Sequence, residues 1–182
     1  MGTTEAVTLT VTAPAIDAYC RQLGDRARGA GQLLAELMAL QAFVSAHVDA
    51  VHRASPPYNA IQLIITRHAE VARERLLHAS AAELAAALAT QATADISRLH
   101  GRLSRHGFEE AAQRALPQLE VGILRQAAVW AGDWCRDAER RAQDASGYPD
   151  ALNFAGAGIQ PGDYAAMQDL QRYLAYAVLQ AG

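Results

Sequence analysis

In the stretch "RHAEVARERLLH", residues 67–78, a histidine stands where a helix would carry an aliphatic side chain. Projected at about 100° per residue, Ile61, Ile65, His68, Ala72 and Ala79 share one face. Arg67, Glu70, Glu74 and His78 lie opposite, where i,i+4 charge pairs suit a solvated surface. His68 is thus an ionisable ring at the centre of an apolar stripe. The same projection sets His47 beside a Leu/Val stripe, Asp95 with Leu84, Leu88 and Leu99, and Glu120 with Leu116, Ile123 and Ala127. Folding each hairpin about turns near residues 56, 80 and 107–108 brings these four groups to similar levels. The first two mismatches come to about one helical turn at a rise of about 1.5 Å per residue.

Two imidazoles and two carboxylates in one layer of a helical core are suitable ligands for iron, manganese or zinc. His47, His68, Asp95 and Glu120 are therefore a candidate metal set. The Glu-x-x-His pair of ferritin-like bundles occurs nowhere in the chain. The plainer expectation needs no metal: His68 donates to Asp95 or Gln91, and the pair is a satisfied polar contact in the core.

Other groupings bear on binding. In "WAGDWC", 130–135, Trp130 and Trp134 stand at i,i+4 on the inner side of a helix, as core or as the lining of an apolar interhelical pocket. The irregular segment 146–162, which contains "GAGIQPG", would roof such a pocket. Arg98, Arg102 and Arg105 at i, i+4, i+7 form a basic ridge. No Ser/His/Asp or Cys/His grouping carries a local signature of nucleophilic catalysis.

These side chains depend on helices for their positions. Alanine fills 41 of 182 positions, and it loses no side-chain entropy in a helix. Six helices are expected, the first from Pro14 to about Arg28 and the second over 32–54, carrying Leu33, Leu37, Leu40, Val44, Val48 and Val51. "SPP" at 55–57 stops the second, and a third covers about 59–79. A fourth begins at the capping-box pattern of Ser80 and Glu83 and runs towards His106 and Gly107. A fifth covers 109–145, kinked or divided at Pro117, and a sixth closes the chain. Residues 5–12, "EAVTLTVT", alternate with period two but have no partner strand. The reading is an all-α, antiparallel up-down bundle of five to six helices. A short extended arm occupies 1–12, and a single domain 13–182.

All 16 basic residues are Arg, which fits GC-rich coding. A net charge of −3 supplies no basic footprint for nucleic acid. No apolar run is long enough for a membrane span, and no basic-then-apolar leader opens the chain, so a cytoplasmic location is expected. Cys20 and Cys135 form no metal or redox spacing and are expected as buried thiols.

The leading expectation is a non-enzymatic helical protein that acts through a protein partner as an adaptor, regulator or secretion-associated factor. It would form a homo-oligomer and carry no cofactor. Two alternatives stand beside it: a metal-binding oxidoreductase or metal sensor built on the four-residue layer, and a small-molecule sensor built on the tryptophan pocket.

Overall fold

Helix-favouring composition needs breaks to become a fold, and glycine, proline and one strained residue supply them. The computed structural model describes residues 11–48 and 55–182. Among these are seven α-helices and no strand, so the chain is all-α. The helices are α1 (Ala13–Arg26), α2 (Ala30–His47), α3 (Pro56–Ala89), α4 (Thr93–Leu103), α5 (Phe108–Ala115), α6 (Val121–Ser146) and α7 (Pro161–Ala181). A 3-10 turn, Leu116–Gln118, joins α5 to α6. The chain divides within α3 into two compact units, Met1–Leu76 and Leu77–Gly182. Of the expected arm over 1–12, residues 1–10 lie outside the described residues, as does the end expected for the second helix at 49–54.

In the first unit, Thr12 caps α1 by accepting a hydrogen bond from the Ala15 N–H at 3.4 Å, and Pro14 occupies the first turn, where its missing N–H costs nothing. Ile16, Cys20 and Leu23, at i, i+4, i+7, form the buried face of α1, which packs on α2. On α2 only Leu34 and Leu37 are fully buried. Leu33, Leu40, Val44 and Val48 of the expected stripe are half-buried, and Val51 lies outside the described residues. Side-chain hydrogen bonds link α2 to α3: Gln41 donates to Thr66 at 3.5 Å, and both Tyr58 and Gln62 donate to Ser45 at 3.3 Å. Within this unit α3 buries Ile61, Ile65, Ala72 and Leu76.

The second unit contains the largest departure from the sequence reading. Ser80 does not start a helix: α3 runs through it for 34 residues, and Ser80 is wholly buried. Its hydroxyl accepts from Arg102 at 3.5 Å, and the same guanidinium donates to Glu83 at 2.8 Å. The Ser-x-x-Glu pattern is thus answered from α4 rather than by capping. The break comes eleven residues later, where Gln91 adopts φ 51°, a left-handed conformation unusual outside glycine. Gly107 at φ 121° then makes the turn from α4 into α5, a conformation glycine adopts without steric cost. Pro117 separates α5 from α6, because its ring cannot continue the preceding turn.

Alanine recurs through the second core. Leu124, Ala127, Ala131, Cys135, Ala138 and Ala142 form a buried line on α6, at a spacing that keeps one side of the helix towards its neighbour. Ala166, Met167, Leu170 and Leu174 of α7 face that line, and α4 adds Ile96, Leu99 and Leu103. Small residues on α6 allow close approach: a methyl group at Gly132 would lie 3.4 Å from the Gln171 amide. Gly147 at φ 70° ends α6. The connection to α7 closes on itself, with the Asn153 N–H on the Ala142 carbonyl at 2.9 Å, Arg141 on the Ala157 carbonyl at 2.9 Å, and Ile159 buried.

Candidate functional site

The four residues proposed as a metal layer each have a local explanation. His47 ends α2 in an exposed position, its Nδ1–H donating to the Phe43 carbonyl at 2.8 Å and its ring stacked on Phe43 at 4.0 Å. Half-buried His68 donates from Nε2 to Asp17 of α1 at 2.8 Å. Asp95 is exposed and accepts from Arg98, one turn further along α4, at 2.7 Å. Glu120 is the exposed N-cap of α6. Among the described residues, no three His, Cys, Asp or Glu side chains are grouped to hold a metal ion. The layer depended on a turn near residue 80, and α3 has no turn there. The expected partners of His68, Asp95 and Gln91, give way to Asp17, whose carboxylate also meets Arg21 at 2.6 Å. The hydrogen bond from His68, opposed by partial desolvation and assisted by Arg21, holds the Asp17 carboxyl below its usual value.

Trp130 and Trp134 do line one groove, of about 650 Å³, together with Gln91, Val129 and Asp133. Both rings are half-exposed beside the alanine line rather than within it. The 146–162 connection does not line this groove. Its Phe154 instead packs on Tyr164 at 4.4 Å between ring centres. Cys20 and Cys135 are free and buried; desolvation first, then the charges of Asp17 and Glu139 respectively, push both thiols up, away from the thiolate form that reacts.

A larger and better-enclosed cleft lies between α5, the 3-10 turn, the start of α6 and the last three turns of α7. It measures about 850 Å³. Its existence follows from Pro117, which ends α5 early and leaves Leu116, Pro117, Leu119 and Val121 as one wall. Opposite stand Tyr173, Tyr176 and Ala177 of α7, with Leu124 also lining the space. Along α7 the lining runs from Arg172 to Ala181, about 14 Å at 1.5 Å per residue.

The polar groups are few and mostly connected. Gln113 donates to Glu109 at 3.1 Å. Arg172 donates to Asp169 at 2.8 Å and to the Tyr173 hydroxyl at 3.4 Å, with its guanidinium 5.2 Å from the centre of the Tyr173 ring. The other oxygen of Asp169 accepts from His100 of α4 at 2.8 Å, and the His100 ring meets Phe108 edge-on at 4.7 Å. A chain of contacts from His100 through Asp169 to Arg172 therefore braces the wall that carries Tyr173.

Comparison of the chain with protein-family models, curated proteins and solved structures finds no match. The chemistry of the site therefore rests on its own residues. The sequence reading passed over this cleft, although a signal was present: Tyr173, Tyr176, Ala177 and Gln180 repeat at i, i+3, i+4, i+7 on α7. That face lies beside the one that buries Met167, Leu170 and Leu174. A second apolar face on one helix needs a second occupant.

Proposed function

We propose that the chain is a non-enzymatic binding protein that takes a small apolar molecule in the cleft between α5 and α7. The cleft itself carries this reading. At about 850 Å³ it lies within the range of small-molecule sites, roughly 300–1,000 Å³, and has their usual make-up of apolar walls and a few placed polar groups. The test is titration with the neutral fluorophore N-phenyl-1-naphthylamine. Saturable enhancement at one probe per chain is expected, and Ala177→Trp, which fills the cleft from within, should abolish it. Enhancement that does not saturate, or that survives Ala177→Trp, would overturn the reading.

A second reading rests on a different observation. In the first unit Met38, Phe43, Leu63 and Val71 are exposed, Phe43 by 60%. Such side chains suit contact with a second copy of the chain, and an adaptor or regulator working in the cytoplasm through a protein partner would use them. Antiparallel up-down packing within each unit belongs to this reading too. Light scattering should show an oligomer that Phe43→Ser dissociates; a monomer throughout the micromolar range would remove it. Among the described residues, no helix is long and apolar enough to cross a membrane.

A further inference from the structure

We infer that the groove beside Trp130 and Trp134 binds a neutral β-linked oligosaccharide whose pyranose rings carry equatorial hydroxyls. The groove is a second site, apart from the α5–α7 cleft and independent of what binds there. Its aromatic pair, its polar rim and the backbone of Gln91 point the same way.

Trp130 and Trp134 both line the groove and are half-exposed. Four residues apart on α6, they stand about 6 Å from each other along the helix axis. Neither indole N–H makes a hydrogen bond among the described residues, and neither is buried without a partner, so both open to solvent. The face of an indole ring carries negative charge density. It suits a pyranose ring with equatorial hydroxyls, whose two faces present only C–H bonds while the hydroxyls point outward to the rim. A wholly apolar ligand would strip water from the two N–H groups and offer nothing in return.

The rim supplies both halves of a hydroxyl's hydrogen bonding. Gln91, Arg125 and Gln126 line the groove, and among the described residues their side chains make no hydrogen bond or ion pair. They are ready donors, as are the indoles. Asp133 and Asp137 are acceptors held from outside the groove, Asp133 by Arg136 and Asp137 by Arg140 at 2.7 Å. Each carboxylate keeps further lone pairs. A hydroxyl both donates and accepts, so a row of them meets guanidinium, amide and carboxylate alike. The rim carries both signs of charge and so favours no ion. A polyproline segment offers acceptors alone, and single-stranded nucleic acid would bring phosphates against two carboxylates.

Strain marks the same place. Among the described residues Gln91 is the one non-glycine with a positive φ, 51°, a conformation glycine would adopt without the cost. Such residues cluster at ligand clamps and switch regions, and here the strained position carries an amide on the rim of the groove.

Trp130 and Trp134 are the two tryptophans of the chain, so intrinsic tryptophan emission reports on this groove alone. Titration of the full chain with cellopentaose and with penta-N-acetylchitopentaose should give a saturable change in emission for at least one of them, at one site per chain. Decaproline and a deoxythymidine decamer should give none. Calorimetric titration of variants then separates the contributions. Trp134→Ala should weaken binding about three- to tenfold, the scale of one aromatic contact. Gln91→Gly should weaken it severalfold while thermal stability holds or rises, a combination that a merely structural residue does not give. Because Gln91 is exposed, that variant serves if Trp134→Ala does not fold. No response to either sugar at millimolar concentration overturns the inference. So does an equal response to decaproline or the oligonucleotide, or sugar binding that both variants leave unchanged.

Discussion

In the second unit, α6 and α7 meet along a line of alanines filled by Met167, Leu170 and Leu174. In the first unit, α2 is as apolar as any helix of the chain but fully buries only Leu34 and Leu37. Both regions share a composition; they differ in pattern. On α6 the small residues recur on one side, so two backbones approach closely and the larger side chains of α7 fill the space between them. On α2 the apolar residues go round the helix, and no single neighbour can cover them. Composition made both segments helical, and periodicity decided how well each is packed.

Cutting one large side chain in each region tests that contrast most strongly. Leu170→Ala should lower stability by about 2–5 kcal/mol, since it leaves a cavity against a well-filled line. Phe43→Ala, at an exposed position, should change it by less than about 0.5 kcal/mol. Urea unfolding of both variants measures the difference, and equal losses would erase the distinction. Overfilling gives an intermediate effect: Ala131→Leu, at a position with no exposed surface, should cost about 1–3 kcal/mol.

The units should also respond to opposite ends of the pH scale. In the second, desolvation first and then the hydrogen bond to Glu139 raise the Tyr164 hydroxyl from 10.0 to about 12. A raised value means the fold holds its proton longer than the unfolded chain does. That stabilisation is complete below pH 10 and lost as pH rises from there to about 12. Tyr164→Phe should flatten the fall in urea midpoint across this window. In the first unit the sign reverses, because the His68 hydrogen bond lowers Asp17 below 3.8. Stability present above that pH is lost as the pH falls through the depressed value. His68→Phe should reduce the acid sensitivity of the first unit and leave the alkaline limb unchanged.

A small effect of the opposite sign is expected at the junction of α3 and α4. Gln91→Gly relieves a left-handed φ of 51° and should raise stability by up to about 1 kcal/mol. A loss on thermal unfolding would show instead that the Gln91 side chain does more for the tryptophan groove than its backbone strain costs.

Local signals named several features correctly. Pro14 marked the start of α1 and Pro117 the division between α5 and α6, because proline acts through its own ring. Glu70, Glu74, Arg67 and His78 are all exposed, as their face implied. His68 was legible as an inward-looking polar group, while its partner was not: Asp17 lies 51 residues away, and no local pattern encodes that distance. The capping-box pattern at Ser80 misled for a related reason. Ser-x-x-Glu fits a helix start and also fits a helix interior whose serine hydroxyl is engaged from another element, here Arg102. The four-residue metal layer inherited that error through the turn it assumed.

The sequence by itself determined that the chain is helical, where proline and glycine interrupt it, and which face of α3 meets solvent at Glu70 and Glu74. These follow from side-chain entropy, ring sterics and hydrophobic period, all properties of neighbouring residues. Only the tertiary structure decided that α3 runs on to Ala89, that His68 and His100 each meet an aspartate from another helix, and that Tyr173 and Tyr176 stand across a cleft from Leu116 and Leu119. Those outcomes depend on which surfaces approach in space, and a residue's own neighbours along the chain do not specify that.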